Sequence, residues 1–395
     1  MADAILCFNA GSSTIKFALF DASSEGPVEQ FRGQVDGLGK TPRFRVWDAA
    51  RKLIEDRTDG LAASNQEGFT GEIVRWARSR LDGGIVACSH RVAHGGTGFT
   101  DPVEITPGVM ARLEALCPLA PLHQPHNLAV ARAAQAASTL QVACFDTGFH
   151  HTLPPAAQRI ALPQPWPAMG VRRYGFHGLS YRYLSRELSR RDPVLAARRV
   201  LFAHLGSGAS LCAAVNGVSV DTTMGFSALD GLVMSTRCGS IDPGALLFLL
   251  SKGVSPGELE TMLYNRAGLL AVSGSTGDMR ALLDSHDTAA IEAVELFVHR
   301  VAREIGAMTA SMEGIDGLVF SAGIGENSVE IRARICERLA WLGARLDPEA
   351  NRNPKGPIGA PGSALAVWVI PTDEEQILAE GACSVMRSRA AMDLV

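Results

Sequence analysis

Two apolar runs joined by a turn of small residues open this chain, and the same design returns in its second half. Residues 4–8 (Ala-Ile-Leu-Cys-Phe) read as a buried strand, residues 9–14 as a tight turn, and residues 15–20 as the returning strand. Further on, Val200-Leu201-Phe202-Ala203 leads into His204-Leu205-Gly206-Ser207-Gly208, and residues 209–215 return. Aligning Gly11 with Gly206 also matches Leu6 with Leu201, Ser12 with Ser207 and Ala18 with Ala213. A repeated strand–turn–strand unit implies a duplicated domain with one hairpin in each half. The 395 residues suffice for two well-buried domains of roughly 150–200 residues each.

Between and after the hairpins, strand-like segments (84–89, 141–145, 317–321) alternate with helical ones (66–81, 111–116, 127–137, 289–313 and 328–342). Asn327 or Ser328 supplies the cap of the last helix. This alternation predicts an α/β fold with mixed sheets. The Pro-rich stretch 154–167 reads as the connection leaving the first domain. A net charge of −4 offers no electrostatic attraction to nucleic acid or to an anionic membrane. No apolar stretch approaches the ~18–20 residues needed to span a bilayer. The eight cysteines are scattered without a C-x-x-C pair, and residues 1–4 lack the basic region of a signal peptide. A cytoplasmic protein with reduced thiols is expected.

Four small-residue turns follow apolar runs: Asn9-Ala10-Gly11-Ser12-Ser13, His204-Leu205-Gly206-Ser207-Gly208, Ser275-Thr276-Gly277-Asp278, and Ser321-Ala322-Gly323-Ile324-Gly325-Glu326-Asn327. Glycine lets backbone N–H groups converge on an anion, and the last turn also opens a helix whose N-terminus favours phosphate. Together they point to nucleotide phosphates, although no G-x-x-x-x-G-K-[ST] and no Gly-rich dinucleotide fingerprint is present. Lys16, alone in an apolar returning strand, either faces solvent or places its ammonium near phosphates held at Ser12 and Ser13. Arg91, Arg172, Arg173 and Arg237 lie in three clusters that each set a cation beside glycine, as a converging anion site requires. His90, His94, His150 and His151 lack the partners of a metal site, whereas His123, His177 and His204 suit hydrogen bonding to phosphoryl oxygens.

Several segments resemble the signatures of the acetate kinase family. They are Asn9-Ala10-Gly11-Ser12-Ser13-Thr14-Ile15-Lys16-Phe17, His90-Arg91-Val92-Ala93-His94-Gly95-Gly96, Phe145-Asp146-Thr147-Gly148-Phe149-His150, Arg173-Tyr174-Gly175-Phe176-His177-Gly178 and Gly323-Ile324-Gly325-Glu326-Asn327-Ser328. Asp221-Thr222-Thr223-Met224-Gly225-Phe226 and Ile370-Pro371-Thr372-Asp373-Glu374-Glu375 match further segments, in family order over nearly the whole chain. The resemblance implies an α/β, duplicated actin/hexokinase-like (ribonuclease H-like) two-domain fold with ATP in the interdomain cleft. One actin-like domain would span 1–148, completed by the C-terminal helix 374–395, and the other 149–373. It further implies reversible phosphoryl transfer from ATP to acetate or a short-chain homologue, giving acyl phosphate and ADP, with Mg²⁺ or Mn²⁺ and a homodimer.

Carried over by motif, Asn9 and Glu374 would arrange the metal ion. Arg91 and Arg237 would hold the acyl and transferring phosphoryl groups, His177 would stabilise the transition state, and Asp146 would be the active-site carboxylate. ATP would contact Lys16, His204, Leu205, Gly206, Ser207, Gly208, Asp278, Met279, Arg280, Gly323, Ile324, Gly325, Glu326 and Asn327. The acyl methyl group would sit among Ala93, Leu122, Phe176 and Ala228. A carboxylate acceptor is ionised at pH 7 and needs no strong base, so Asp146 is expected to orient Arg237 or the metal.

The chain departs from the family pattern at Ser207 (usually Asn), Leu179 and Tyr181 (Thr and His), Gln124 and His126 (Asn and Ala), and Ser235, Cys238 and Ser240 (Gly, Ser and Asp). Ala93 and Ala228 replace the usual Val and Pro in the acyl pocket. A propionate or butyrate kinase with an enlarged pocket is therefore the first alternative. A non-catalytic actin-like ATP-binding protein is the alternative from another class.

Overall fold

The repeated hairpins form the middle of two separate sheets. The computed structural model describes residues 3–11, 14–22, 26–38, 41–59 and 65–392. The chain divides into two compact units, 1–149 with 373–395, and 150–372. The first carries β1 (Ala4–Ala10), β2 (Thr14–Asp21), β3 (Val28–Asp36), β4 (Arg43–Asp48), β5 (Leu53–Arg57), β6 (Ile85–Val92), β7 (Val103–Glu104) and β8 (Gln141–Phe145), in the order β5-β4-β3-β2-β1-β6-β8-β7. The second carries β9 (Arg199–Leu205), β10 (Ala209–Val215), β11 (Val218–Thr222), β12 (Gly317–Ser321) and β13 (Ala366–Val369), in the order β11-β10-β9-β12-β13.

Within the first sheet, β3-β2-β1-β6-β8 repeats the second sheet strand for strand. In each, the first three strands are antiparallel neighbours and the last two join in parallel. This shared order bears out the duplicated ribonuclease H-like reading. The turns, however, differ by one residue. Ala10 faces Ile15 in the first hairpin, whereas Leu205 faces Ala209 in the second. Ala18 therefore corresponds to Cys212, not Ala213, and Lys16 opposite Asn9 corresponds to Ser210 opposite His204.

Every residue of β1 is buried because both of its edges are paired and both faces are covered. Leu6 and Phe8 pack with Phe69 and Ile73 of the helix Gln66–Arg78, while the C-terminal helix Glu374–Met392 lies against β1, β6 and β8. A Cβ at Gly381 would sit 2.5 Å from Cys144 Sγ, so only glycine lets this helix lie so close to the sheet. That approach fixes where its first residues, Glu374 and Glu375, fall. In the second unit, Phe297, Val301 and Ile305 of the helix Thr288–Ser311 join Leu211 and Ala213 of β10 in one core. Each fully buried Phe, Ile or Val there contributes about 1.5–3 kcal/mol.

Strands β3 to β5 were not foreseen, because their residues alternate with charges instead of forming apolar runs. The glycine-rich segment after β12 is not an open turn but a short helix, Ala322–Asn327. The following helix, Val329–Arg338, is capped by Ser328, whose Oγ accepts from Ile331 N at 3.3 Å. The Pro-rich stretch 154–167 lies inside the second unit and contains the short helix Pro155–Gln158. Among the described residues, no helix is long and apolar enough to cross a membrane.

Candidate active site

In the first unit, three parallel strands end beside the start of the C-terminal helix, and their last residues meet there. Arg91 near the end of β6 donates through Nε (2.9 Å) and Nη2 (2.6 Å) to Asp146 Oδ2, just past β8. Its Nη1 donates to Asn9 Oδ1 on β1 at 3.2 Å. Asn9 Nδ2 in turn donates to Glu374 Oε2 at 2.8 Å and to Glu375 Oε1 at 3.2 Å. Burial pushes the Asp146 carboxyl above its ordinary value, with the Arg91 guanidinium pulling the other way. Burial likewise raises Glu375, opposed by Arg32 and Lys16. The other Asp146 oxygen, Oδ1, is buried without a hydrogen-bond partner. The arginine that Asp146 orients within this unit is thus Arg91. Lys16 lies directly opposite Asn9 on β2 with an exposed side chain, while Ser12 and Ser13 lie outside the described residues. Ala93 is buried and donates its N–H to Asn127 Oδ1 at 3.0 Å; Leu122 and His123 are half-buried.

In the second unit, His177 precedes the helix Gly178–Arg191 with a left-handed backbone (φ 58°). Its ring stacks on that of His204, with centroids 4.2 Å apart and planes 20° from parallel. Each imidazole has Nδ1 at 2.8 Å from a serine hydroxyl, Ser210 for His177 and Ser180 for His204. The preceding carbonyl, Phe176 O, is held at 3.0 Å by His150 Nε2. A carbonyl only accepts, so Nε2 of His150 carries the proton; burial pushes this imidazole down to about 4 and it is neutral at pH 7. Arg237 is anchored by Nη1 to Ala228 O at 2.8 Å, and its carbonyl accepts from Met234 N at 3.0 Å. A Cβ built on Gly208 would lie 3.3 Å from His177 Nε2 and 3.4 Å from Arg237 Nη2. The imidazole and guanidinium therefore converge over a bare glycine, in the turn of the repeated hairpin. Phe176 is buried in the core and Ala228 packs half-buried against it.

Beside that turn opens a cavity of about 700 Å³. Among its lining are the predicted residues Gly206, Ser207, Asp278, Met279, Arg280, Gly323, Ile324 and Asn327. Ser235, Asp284, Val329 and Glu330 also line it and were missed by sequence reasoning. Ser235, a departure from the family pattern, ties the walls together by donating its N–H to Ser207 O at 3.1 Å. The remaining predicted nucleotide residues of this unit lie outside the lining. Leu205 is in the core, Gly325 is buried, His204 pairs with Ser180, and Gly208 faces His177 and Arg237. Glu326 turns inward, where Oε1 accepts from Ala322 N (2.7 Å) and Thr372 N (3.0 Å).

His90 and His94 have protein partners. His90 stacks on Phe8 at 5.4 Å and bonds Gln141 Oε1 through Nε2 at 2.7 Å, and burial lowers it to about 4. His94 Nδ1 accepts from Gly96 N at 2.8 Å, and Gln124 braces the His94 backbone through both of its amide atoms. Among the described residues, no three His, Cys, Asp or Glu side chains group as a metal cage.

Comparison with known proteins gives a consistent picture. The family model described as the Acetokinase family matches residues 4–380. An acetate kinase of Rhodopseudomonas palustris (strain TIE-1) is 47% identical over 388 residues, covering 96% of this chain and 97% of that protein. One from Nitrobacter hamburgensis is 47% identical over 394 residues, covering 98% of each. Among solved structures, Porphyromonas gingivalis acetate kinase superposes with a TM-score of 0.84 at 32% identity, over 98% of this chain and all of that one. A propionate kinase from Francisella tularensis gives 0.86 at 34% identity, over 96% and 99%.

Proposed function

The chain belongs to the acetokinase family, and we infer from this premise that it moves a phosphoryl group reversibly between ATP and acetate, giving acetyl phosphate and ADP. It is a phosphotransferase whose acceptor is a carboxyl group. The observation that carries the reading of the site is the convergence of His177 Nε2 and Arg237 Nη2 over Gly208, beside a cavity of nucleotide size. Two anions must be brought together, and charge spreads over three equatorial oxygens in the transition state. Arg237 and His177 would bind those oxygens, Arg91 would hold the acetate carboxylate, and Asp146 would keep the Arg91 fork aimed. The triphosphate would run along the Gly206–Ser207 turn and Gly323, with Asp278 to Arg280 and Ile324 along the nucleoside.

The first unit fits a magnesium ion. Glu374 offers a hard carboxylate, and Asp146 Oδ1 is a buried oxygen awaiting a partner. Mg²⁺ binds through one or two carboxylates, keeping waters and substrate phosphates as its other ligands, so no three-residue cage is needed. When bound, it neutralises phosphate charge. Asn9 would orient Glu374 through its amide.

The helix Pro243–Ser251 (Pro-Gly-Ala-Leu-Leu-Phe-Leu-Leu-Ser) exposes Leu247 at 68% and Phe248 at 59%, which supports the homodimer reading. All eight cysteines are free, in keeping with a reducing cytoplasm.

Trapping acyl phosphate with hydroxylamine, using MgATP and acetate, propionate, butyrate or glycerol, tests the assignment. Acetohydroxamate formation that requires ATP is expected. Turnover of glycerol alone, or of none of the four, would reject it. Small side chains at Ala93 and Ala228 favour a second reading, in which propionate is used as well as acetate.

A further inference from the structure

The ladder between the parallel strands β1 and β6 ends at Phe8 and His90. Beyond that pair each strand keeps only its other neighbour. Asn9 and Ala10 stay with β2, opposite Lys16 and Ile15, while Arg91 and Val92 stay with β8, opposite Cys144 and Phe145. A gap therefore opens at the carboxyl ends of two parallel strands, which is where α/β sheets receive ligands. Asn9 and Arg91, read as arranging the metal and holding acetate, stand on its two sides.

One buried side chain joins both sides. Asn127, 2% exposed in the first turn of the helix Gln124–Ala133, accepts from Ala93 N through Oδ1 at 3.0 Å. Its Nδ2 donates to Ala10 O at 2.8 Å. An N–H only donates and a carbonyl only accepts, so these two partners fix which way the amide points. Ala10 directly follows Asn9, and Ala93 is two residues beyond Arg91. The same helical turn braces the adjoining backbone. Gln124, fully buried, accepts from His94 N and donates to His94 O, both at 3.0 Å. Gln66 Nε2 donates to Gly11 O at 2.6 Å, which turns its Oε1 toward His126 Nδ1 at 2.9 Å. Gln124 and His126 are departures from the family pattern, and they buttress the two segments that Asn127 joins.

We propose that Asn127 is a positioning residue that sets the width of this gap, and with it the separation of Arg91 from Asn9. The proposal rests on the reading of Arg91 as the acetate clamp and of Asn9 as an arranger of the metal. Arg91 also reaches across, from Nη1 to Asn9 Oδ1 at 3.2 Å, but bound substrate and metal draw on those same groups. The Asn127 bridge grips backbone alone and is left undisturbed through turnover. A purely structural role is the competing account, since Leu128 and Val130 of the same helix are core residues.

The full chain is compared as wild type, Asn127→Ala, Asn127→Asp and Val130→Ala. Asn127→Asp keeps the size and the acceptor of the side chain but sets an oxygen against Ala10 O. Val130→Ala loosens the packing of the same helix and leaves both bridging hydrogen bonds in place. Urea midpoints rank the loss of stability, and kinetics are measured without urea. Both Asn127 variants are expected to raise KM for acetate about tenfold and to weaken Mn²⁺ binding, followed by electron paramagnetic resonance, about threefold. KM for ATP should stay within about twofold, because residues of the second unit line the nucleotide cavity. Val130→Ala should lower the urea midpoint and leave these constants unchanged. If Asn127→Ala does not fold, the isosteric Asn127→Asp carries the measurement. Asn127 variants that lose stability as Val130→Ala does, yet keep the wild-type KM for acetate and Mn²⁺ affinity, overturn the inference. So does a Val130→Ala enzyme whose KM for acetate rises as far as theirs. A wild-type KM for acetate in Arg91→Ala would instead overturn the reading of Arg91 on which the inference rests.

Discussion

Arg32 clamps Glu375: its Nη1 donates to Glu375 Oε2 at 3.2 Å while its Nη2 reaches Asp373 Oδ2 at 2.6 Å. The second Glu375 oxygen accepts from Asn9, so this buried carboxylate is occupied in holding the start of the C-terminal helix. Glu374, half-buried and one residue earlier, accepts from Asn9 Nδ2 at 2.8 Å and is the carboxylate proposed to meet the cation.

The two glutamates should therefore fail differently. Glu374→Ala is expected to lower kcat and to raise the Mg²⁺ concentration for half-maximal activity by about tenfold or more. Glu375→Ala and Arg32→Ala should lower stability by about 1–3 kcal/mol, since each leaves buried polar partners unpaired. Mn²⁺ titration followed by electron paramagnetic resonance, alongside denaturant unfolding, reads both effects. Loss of Mn²⁺ binding in Glu375→Ala with full retention in Glu374→Ala would exchange the two assignments.

Arg91 and Asp146 form the ion pair at the ends of β6 and β8. Arg91→Ala would remove the proposed substrate clamp, and Arg237→Ala the cation beside His177. Each is expected to reduce kcat/KM by at least ~10²-fold with far-ultraviolet circular dichroism unchanged. Asp146→Asn should act through Arg91 and raise KM for acetate as well as lowering kcat. Near-wild-type constants in any of the three would remove that residue from the site.

His90 and His150 bear on acid stability. Burial depresses both imidazoles from the ordinary 6.5 to about 4 in the folded state. Between these values the unfolded chain binds protons that the native protein refuses. Stability then rises with pH and is lost as pH falls from 6.5 toward 4. Each histidine should steepen the loss by about 1.4 kcal/mol per pH unit within that window. Urea midpoints at pH 7.0, 6.0 and 5.0 test this, and His90→Gln should flatten the slope. A slope identical in wild type and His90→Gln would contradict a neutral, buried His90.

Some of this was legible in the sequence and some was not, for definite reasons. β1, β9 and β12 are mostly apolar because they are paired on both edges, and such runs stand out. β3 to β5 carry charges on one face, as in Val28-Glu29-Gln30-Phe31-Arg32, and pass for loop. Arg91, Arg237 and His177 are legible because a cation beside glycine has few structural uses. Glu326 is not: it sits in a glycine-rich signature, yet its Oε1 caps Ala322 N and Thr372 N. Thr372 is remote in sequence, and nothing local points to it. Ser210 escaped for a related reason, since the one-residue difference between the hairpin turns hides its correspondence to Lys16.

In the proposed acyl pocket, Ala93 is 3% exposed and its N–H is pinned to Asn127. Its backbone is thus fixed, and the missing Val methyls cannot be made good by the strand moving inward. Ala228 is similarly tied, its carbonyl accepting from Arg237, so the position of the proline ring it replaces should stay open. Each extra substrate CH₂ that fills such space is worth about 0.8 kcal/mol, or roughly fourfold in kcat/KM. We expect propionate to match or exceed acetate, and Ala93→Val to restore acetate preference by several-fold with kcat for acetate little changed. Neighbouring side chains relaxing into the space would produce the opposite pattern. kcat/KM for acetate, propionate and butyrate, in wild type and Ala93→Val, decides the matter: a strong wild-type preference for acetate that the valine leaves untouched would show that the space is filled by the protein itself.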